Sequence, residues 1–172
     1  MRIFEAISAE HVAQARELFE EYALSLGFSL CFQGFDKELS GLPGDYAPPA
    51  GRLLLAEVDG QVAGCVALHA LPKQGADACE VKRLFVRPEF RGQKVGRRLM
   101  DAILNAARNI GYRRMLLDTV SGKMDRAIAM YREYGFREIP GYRENPQPGV
   151  LYMELELVPS PVSRSSLLEE HK

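Results

Sequence analysis

Glu80–Met100 reads E-V-K-R-L-F-V-R-P-E-F-R-G-Q-K-V-G-R-R-L-M, and the rest of the chain is arranged around it. Its apolar start reads as a strand, Pro88 breaks that strand, a basic loop turns at Gly92, and a helix is expected from about Lys94. Between Glu80 and Arg98 seven basic residues (Lys82, Arg83, Arg87, Arg91, Lys94, Arg97, Arg98) stand against two acidic ones, a local charge of +5. The whole chain carries −1, so everything else sums to −6. A positive strand-loop-helix junction in an otherwise acidic chain suits a phosphate. The open N–H groups of the first helical turn and the positive end of the helix dipole both point there.

Upstream, Arg2–Ile7 reads as a strand and Ser8 as the N-cap of a helix with Val12, Ala15, Leu18, Phe19, Tyr22 and Leu26 on one stripe, ended by Gly27. A second, short helix is expected over Phe35–Leu42. Pro43–Gly51, P-G-D-Y-A-P-P-A-G, excludes helix interior and central strand, and is either the frame of a cleft or a plain connector. Arg52–Val58 and Gln61–Leu71 form a hairpin about Asp59-Gly60. The second of these strands is apolar almost throughout, which predicts cover on both faces. A strand over Cys79–Val86 leads into the opening stretch.

Downstream, Val95, Leu99, Ile103, Ala106 and Ile110 lie on one helical face, closed by Gly111. A strand over Arg113–Val120, a helix over Asp125–Tyr134, and strands over Phe136–Ile139 and Val150–Leu157 follow. The order β-α-α-β-β-β-α-β-α-β-β describes an α+β (mixed α/β) domain, one sheet with helices on both faces. A single domain over residues 1–158 and a flexible tail over 159–172 are expected.

Composition narrows the function. A net charge near zero argues against general nucleic-acid binding, and no apolar run reaches the roughly 18 residues of a membrane span. Cys31, Cys65 and Cys79 have no CxxC or ligand spacing and read as buried, reduced thiols of a soluble cytoplasmic protein. Metal catalysis has no support, because His11, His69 and His171 fall at no ligand spacing. P-loop and dinucleotide fingerprints are absent as well. What remains is a phosphate cradle without a triphosphate motif, or else a solvated basic helix start.

The run V-K-R-L-F-V-R-P-E-F-R-G-Q-K-V-G-R-R-L-M resembles the acyl-CoA binding motif of the GNAT superfamily of N-acetyltransferases, R/Q-x-x-G-x-G/A. Arg91 and Gly96 match fixed positions, Gly92 a free one, and Lys94 stands where the first fixed glycine falls. D-R-A-I-A-M-Y-R-E-Y-G-F, Asp125–Phe136, is similar to the family's A-x-x-x-Y-x-x-x-G-F, with Met124 in place of a common asparagine. The resemblance covers residues 2 to 157 and implies a central mixed, mostly antiparallel sheet of about seven strands flanked by about four helices. It implies acetyl-CoA as co-substrate, with the pyrophosphate on the backbone of Arg91, Gly92, Gln93, Lys94, Val95 and Gly96, Arg97 beside it, and the pantetheine arm along Phe85 and Val86 between splayed strands. A lysine at 94 is compatible with this if its backbone is helical, and its ammonium is then directed at a CoA phosphate.

The resemblance further implies that Tyr131 protonates the leaving thiolate and that Glu80 is the base. The residues alone also allow Tyr131 as a core aromatic and Glu80 as a surface partner of Lys82 or Arg83. If Glu80 is buried among Cys79 and Val81, burial is expected to raise its pKa toward that of a useful base. Tyr46, Tyr142 and Asn145 are the candidate acceptor contacts, with Arg143 and Glu144 beside them. The expected activity is transfer of acetyl from acetyl-CoA directly to a primary amine of a small molecule or peptide, by a monomer or homodimer that binds no nucleic acid, membrane or metal. A non-catalytic acyl-CoA sensor is the alternative, and a DNA- or RNA-binding module a distant third.

Overall fold

Local chemistry sets the element ends in the computed structural model, which describes residues 1–31 and 34–158. The Ser8 hydroxyl accepts the His11 amide at 3.1 Å and starts helix α1 (Ala9–Leu26), which ends at Gly27 with φ 71°. Strand β1 (Arg2–Glu5) stops before Ile7, whose side chain lies exposed as the chain turns into that cap. Helix α2 (Phe35–Ser40) is two residues shorter than expected, because Pro43 disfavours helical backbone at Leu42. Asp59 and Gly60 both take positive φ, 49° and 78°, as a tight hairpin between β2 (Arg52–Val58) and β3 (Gln61–Ala70) requires.

The remaining elements are β4 (Ala78–Val86), α3 (Val95–Ile110), β5 (Arg114–Val120), α4 (Asp125–Tyr134), β6 (Arg137–Ile139) and β7 (Val150–Glu156). The order is the expected one. The seven strands form one sheet, β1-β2-β3-β4-β5-β7-β6. Every neighbouring pair is antiparallel except β4–β5. Residues 159–172, expected to be a flexible tail, lie outside the described residues.

Alternation along the strands splits the core into two layers. Leu54, Val66, Leu68 and Val81 pack with Leu99 and Ile103 of α3 on one face. Leu53, Leu55, Cys65 and Ala67 pack with Leu18 and Phe19 of α1 on the other. Both faces of β3 are therefore covered, and Ala63–Leu68 are buried throughout, as their apolar run predicts. Cys65 and Cys79 are buried too, but Cys31 is exposed, contrary to the expectation of three buried thiols, since it precedes α2 in a surface connection.

Two irregularities in β4 shape the site. Cys65 pairs with Phe85 but Ala67 with Lys82, so β4 carries an extra residue there, and Arg83 adopts φ 60°. On its other side, β4 pairs with β5 over only three positions, Ala78–Glu80 with Arg114–Leu116. Beyond Glu80 the two strands diverge. A parallel strand pair that opens in this way leaves unpaired backbone groups and a wedge-shaped gap at the centre of the sheet.

Candidate active site

The loop after β4 lines a cleft of about 750 Å³ between the N-termini of α3 and α4. Phe85, Val86, Arg91, Gly92, Lys94, Val95, Gly96 and Arg97 all lie on it, whereas Gln93 does not. Gln93 is exposed within the turn between Gly92 and Lys94. Lys123 and Arg126 join the lining from the start of α4, so five cations face one carboxylate, Asp125, which accepts the Gly122 amide at 2.8 Å. Sequence reading missed Lys123 and Arg126 because they lie about thirty residues from the basic loop.

Lys94 is the N-cap of α3 and provides no side-chain cap to it. Its backbone is left-handed, φ 62° and ψ 19°, and not helical in the ordinary sense, a conformation that costs a non-glycine residue about 1–2 kcal/mol. The position thus keeps the geometry of the motif glycine while carrying a side chain. With no cap, the first amides of α3 remain open to a ligand, at the positive end of the helix. Gly96 reinforces this. A Cβ there would meet Val86 at 3.7 Å, an ordinary contact, so the protein's own packing does not demand glycine. The cradle is one that an anion with a close backbone approach fits.

The cleft leads toward the gap between β4 and β5, a narrower cavity lined by Tyr22, Lys82, Asp118, Met124, Tyr131 and Asn145 among others. Tyr131 reaches it from α4, buried and packed against the Phe136 ring at 5.6 Å. Among the described residues its hydroxyl meets no hydrogen-bond partner. Burial, with lesser contributions from Tyr22 and Asp118, holds that hydroxyl protonated well above the usual tyrosine range. Asp118 is half-buried on β5, and Asn145 Nδ2 donates to its Oδ2 at 3.3 Å. It is the only charged side chain in M-L-L-D-T-V, a signal that the sequence offered and that was not used.

On the α1/α2 face a third cavity, about 710 Å³, is lined by Glu38, Tyr46, His69, Glu80, Lys82 and Arg143 together with the loops around them. Glu80 is fully buried. Its Oε1 bonds His69 Nε2 at 2.9 Å, and its Oε2 accepts from the Tyr142 hydroxyl at 2.5 Å and from Arg143 Nη2. Lys82 Nζ stands 3.7 Å from Oε1. Burial pushes the Glu80 carboxyl up, but the His69 hydrogen bond and the charges of Lys82 and Arg143 outweigh it and hold the group well below the usual carboxylate range. The expected rise toward a useful base is overturned, because burial brought cations with it. Nor is Glu80 a surface ion pair.

The three candidate acceptor contacts separate. Tyr46 is on the cavity wall and donates to Glu38 Oε1 at 3.0 Å, while Arg83 binds Glu38 through both oxygens at 2.9 and 3.1 Å. Tyr142 is spent on Glu80, and Asn145 belongs to the β4–β5 gap. His69 was missed altogether; hairpin register brings it opposite Glu80, which no single-strand pattern reveals.

The site is thus a cationic cleft feeding a split between the two strands of one parallel pair. The GNAT acetyltransferase family model matches residues 10–136. An uncharacterized N-acetyltransferase of Schizosaccharomyces pombe is 41% identical over 141 residues, covering 81% of this chain and 85% of the relative. Among solved structures, a GNAT-family acetyltransferase of Staphylococcus aureus superposes with TM-score 0.72 at 19% identity, covering 91% of this chain and 99% of its own. The PaiA N-acetyltransferase of Thermoplasma acidophilum, solved in complex with coenzyme A, does so with TM-score 0.67 at 18% identity, covering 91% and 99%. The chain belongs to the GNAT acetyltransferase family. Among its described residues no helix is long and apolar enough to cross a membrane.

Proposed function

We propose that the chain transfers an acetyl group from acetyl-CoA directly to a primary amine. The observation that carries this reading is the continuity of the cation-lined cleft with the β4–β5 gap, where the unpartnered Tyr131 hydroxyl sits. A CoA diphosphate fits the open amides of α3 and the cations around them, and the structurally similar PaiA enzyme was solved with coenzyme A. The pantetheine arm then follows Phe85 and Val86 into the gap, pairing with strand backbone that β5 leaves free.

The amine nitrogen attacks the thioester carbonyl carbon, a C–N bond forms and the C–S bond breaks. Tyr131 gives its proton to the departing thiolate and recovers one from solvent. The ammonium's first proton goes to Asp118, the carboxylate in the gap with a single side-chain donor on it among the described residues. The second, lost from nitrogen as the tetrahedral intermediate collapses, passes to solvent and offsets the one Tyr131 recovers. Glu80, held anionic by three donors, anchors the wall and does not shuttle protons. No thiol intermediate is needed: burial raises the Cys65 and Cys79 thiols far above the range where a thiolate forms.

Thiol release from acetyl-CoA with amino acids, polyamines, aminoglycosides and peptide N-termini tests the reading. Turnover with an amine supports it. The three side-chain donors already on Glu80 favour a second reading, an acyl-CoA sensor that kept the cleft and lost the chemistry; tight CoA binding with no turnover across the panel would establish that one instead.

A further inference from the structure

The two ion-paired carboxylates on the cavity wall, half-buried Glu38 and buried Glu80, each already accept three side-chain hydrogen bonds, which leaves little acceptor capacity for a ligand. Glu38 takes Tyr46 and both arms of Arg83; Glu80 takes His69, Tyr142 and Arg143. A polycation reaching into this cavity would find the deeper carboxylates among the described residues already ion-paired, and Asp45 and Glu144 only at the exposed rim, where pairing contributes little. Donors are in the opposite position. Arg143 lines the cavity with its side chain 26% exposed. It has five N–H groups, and among the described residues Glu80 is the only side-chain acceptor it meets. It also stacks over Tyr142, 5.0 Å from the ring centroid, which holds the planar fork in place. Lys82 adds positive charge where the cavity meets the β4–β5 gap, since it lines both. Asp118, in the gap itself, has a single side-chain donor on it among the described residues.

Granted the transfer reaction above, we infer that the acceptor is an amine that also bears an anionic group, of the amino-acid class, with its ammonium at Asp118 and its carboxylate on Arg143. The loop Tyr142–Asn145 spans both ends, with Arg143 on the cavity and Asn145 on Asp118. An arginine fork matches a carboxylate through two parallel hydrogen bonds. An acceptor without the anion leaves those donors unsatisfied once water is displaced, a loss of roughly 10- to 100-fold in binding.

The test uses the purified full chain, acetyl-CoA and matched acceptors: amino acids, their carboxamides and the corresponding decarboxylated amines, for example phenylalanine, phenylalaninamide and phenethylamine. The wild-type chain is expected to prefer the carboxylated member of a pair by about 10-fold or more in kcat/KM, mainly through KM. Arg143→Gln should bring the pair close to parity with the KM for acetyl-CoA unchanged, and Arg143→Lys should restore part of the preference. Parity in the wild-type chain, which needs no variant and so no assumption about folding, overturns the inference; so does an Arg143→Gln that slows both members equally. Turnover of polyamines or decarboxylated amines alone overturns it while leaving the acetyltransferase reading intact. No thiol release with any amine overturns both.

Discussion

The cation-lined cleft and the cavity on the α1/α2 face are nearly equal in volume, about 750 and 710 Å³, and are built in opposite ways. The cleft is made of backbone: a left-handed turn, two glycines, the bare start of a helix, with exposed cations around it. The cavity is made of side chains, contributed by α2, β3, β4 and the β6–β7 loop, and locked by buried ion pairs. Backbone recognition serves a ligand whose charged part does not vary. Side-chain recognition serves a partner that must be selected. Substitutions should therefore act differently in the two regions.

The gap that joins them should show the largest effects. Tyr131→Phe and Asp118→Asn are each expected to lower turnover by about 10²–10⁴-fold, the usual contribution of a general acid or base, with acetyl-CoA affinity nearly unchanged. Steady-state kinetics beside calorimetric titration of CoA measures both, and near-normal turnover in either variant would remove that residue from the mechanism. Next comes the cavity wall. Glu80→Ala strips the partner from a buried cationic cluster and should cost about 3–5 kcal/mol of unfolding free energy in a denaturant titration.

The same carboxylate sets a pH dependence. Its folded pKa lies below the unfolded value of about 4.3, so its contribution is complete above that pH and is lost as pH falls below it. The wild-type stability curve should drop on the acid side, and the Glu80→Gln curve should be flatter there. A wild-type curve as flat as the variant's would mean that the cluster does not hold Glu80 ionised.

Effects in the cleft should be smaller and of mixed sign. Gly96→Ala meets only an ordinary contact and should raise stability of the free protein by about 0.5 kcal/mol or less, the lower end of the helix-interior value because Gly96 lies in the first turn of α3. It should weaken CoA by about tenfold, the loss of one hydrogen bond to a charged group. Lys94→Gly relieves the left-handed strain and should stabilise by about 1 kcal/mol or less, since glycine also frees the unfolded chain. If Gly96→Ala leaves CoA affinity untouched, the backbone account of the cleft is wrong.

How much could be read beforehand follows the same division. Ser8, Gly27, Asp59-Gly60 and Gly111 marked their caps and turns within a residue, and β2 and α4 begin and end at the expected residues. Local signals act over a few positions, so they survive in a linear reading. The cleft was legible for the same reason, its loop being six consecutive residues. Lys94 was the exception, since its side chain gave no hint that its backbone would keep a glycine's φ.

The sequence by itself determined the order of elements and the family, and it marked the basic loop that lines the cleft, because these depend on periodicity, turn chemistry and one contiguous motif. Only the tertiary structure decided the chemistry of the cavity. The Glu80 carboxyl lies below the usual carboxylate range, not above it, because strand pairing brought His69 opposite it and a loop some sixty residues away laid Tyr142 and Arg143 on its other oxygen. A buried carboxylate's pKa is set by the charges that share its burial, and those come from distant parts of the chain.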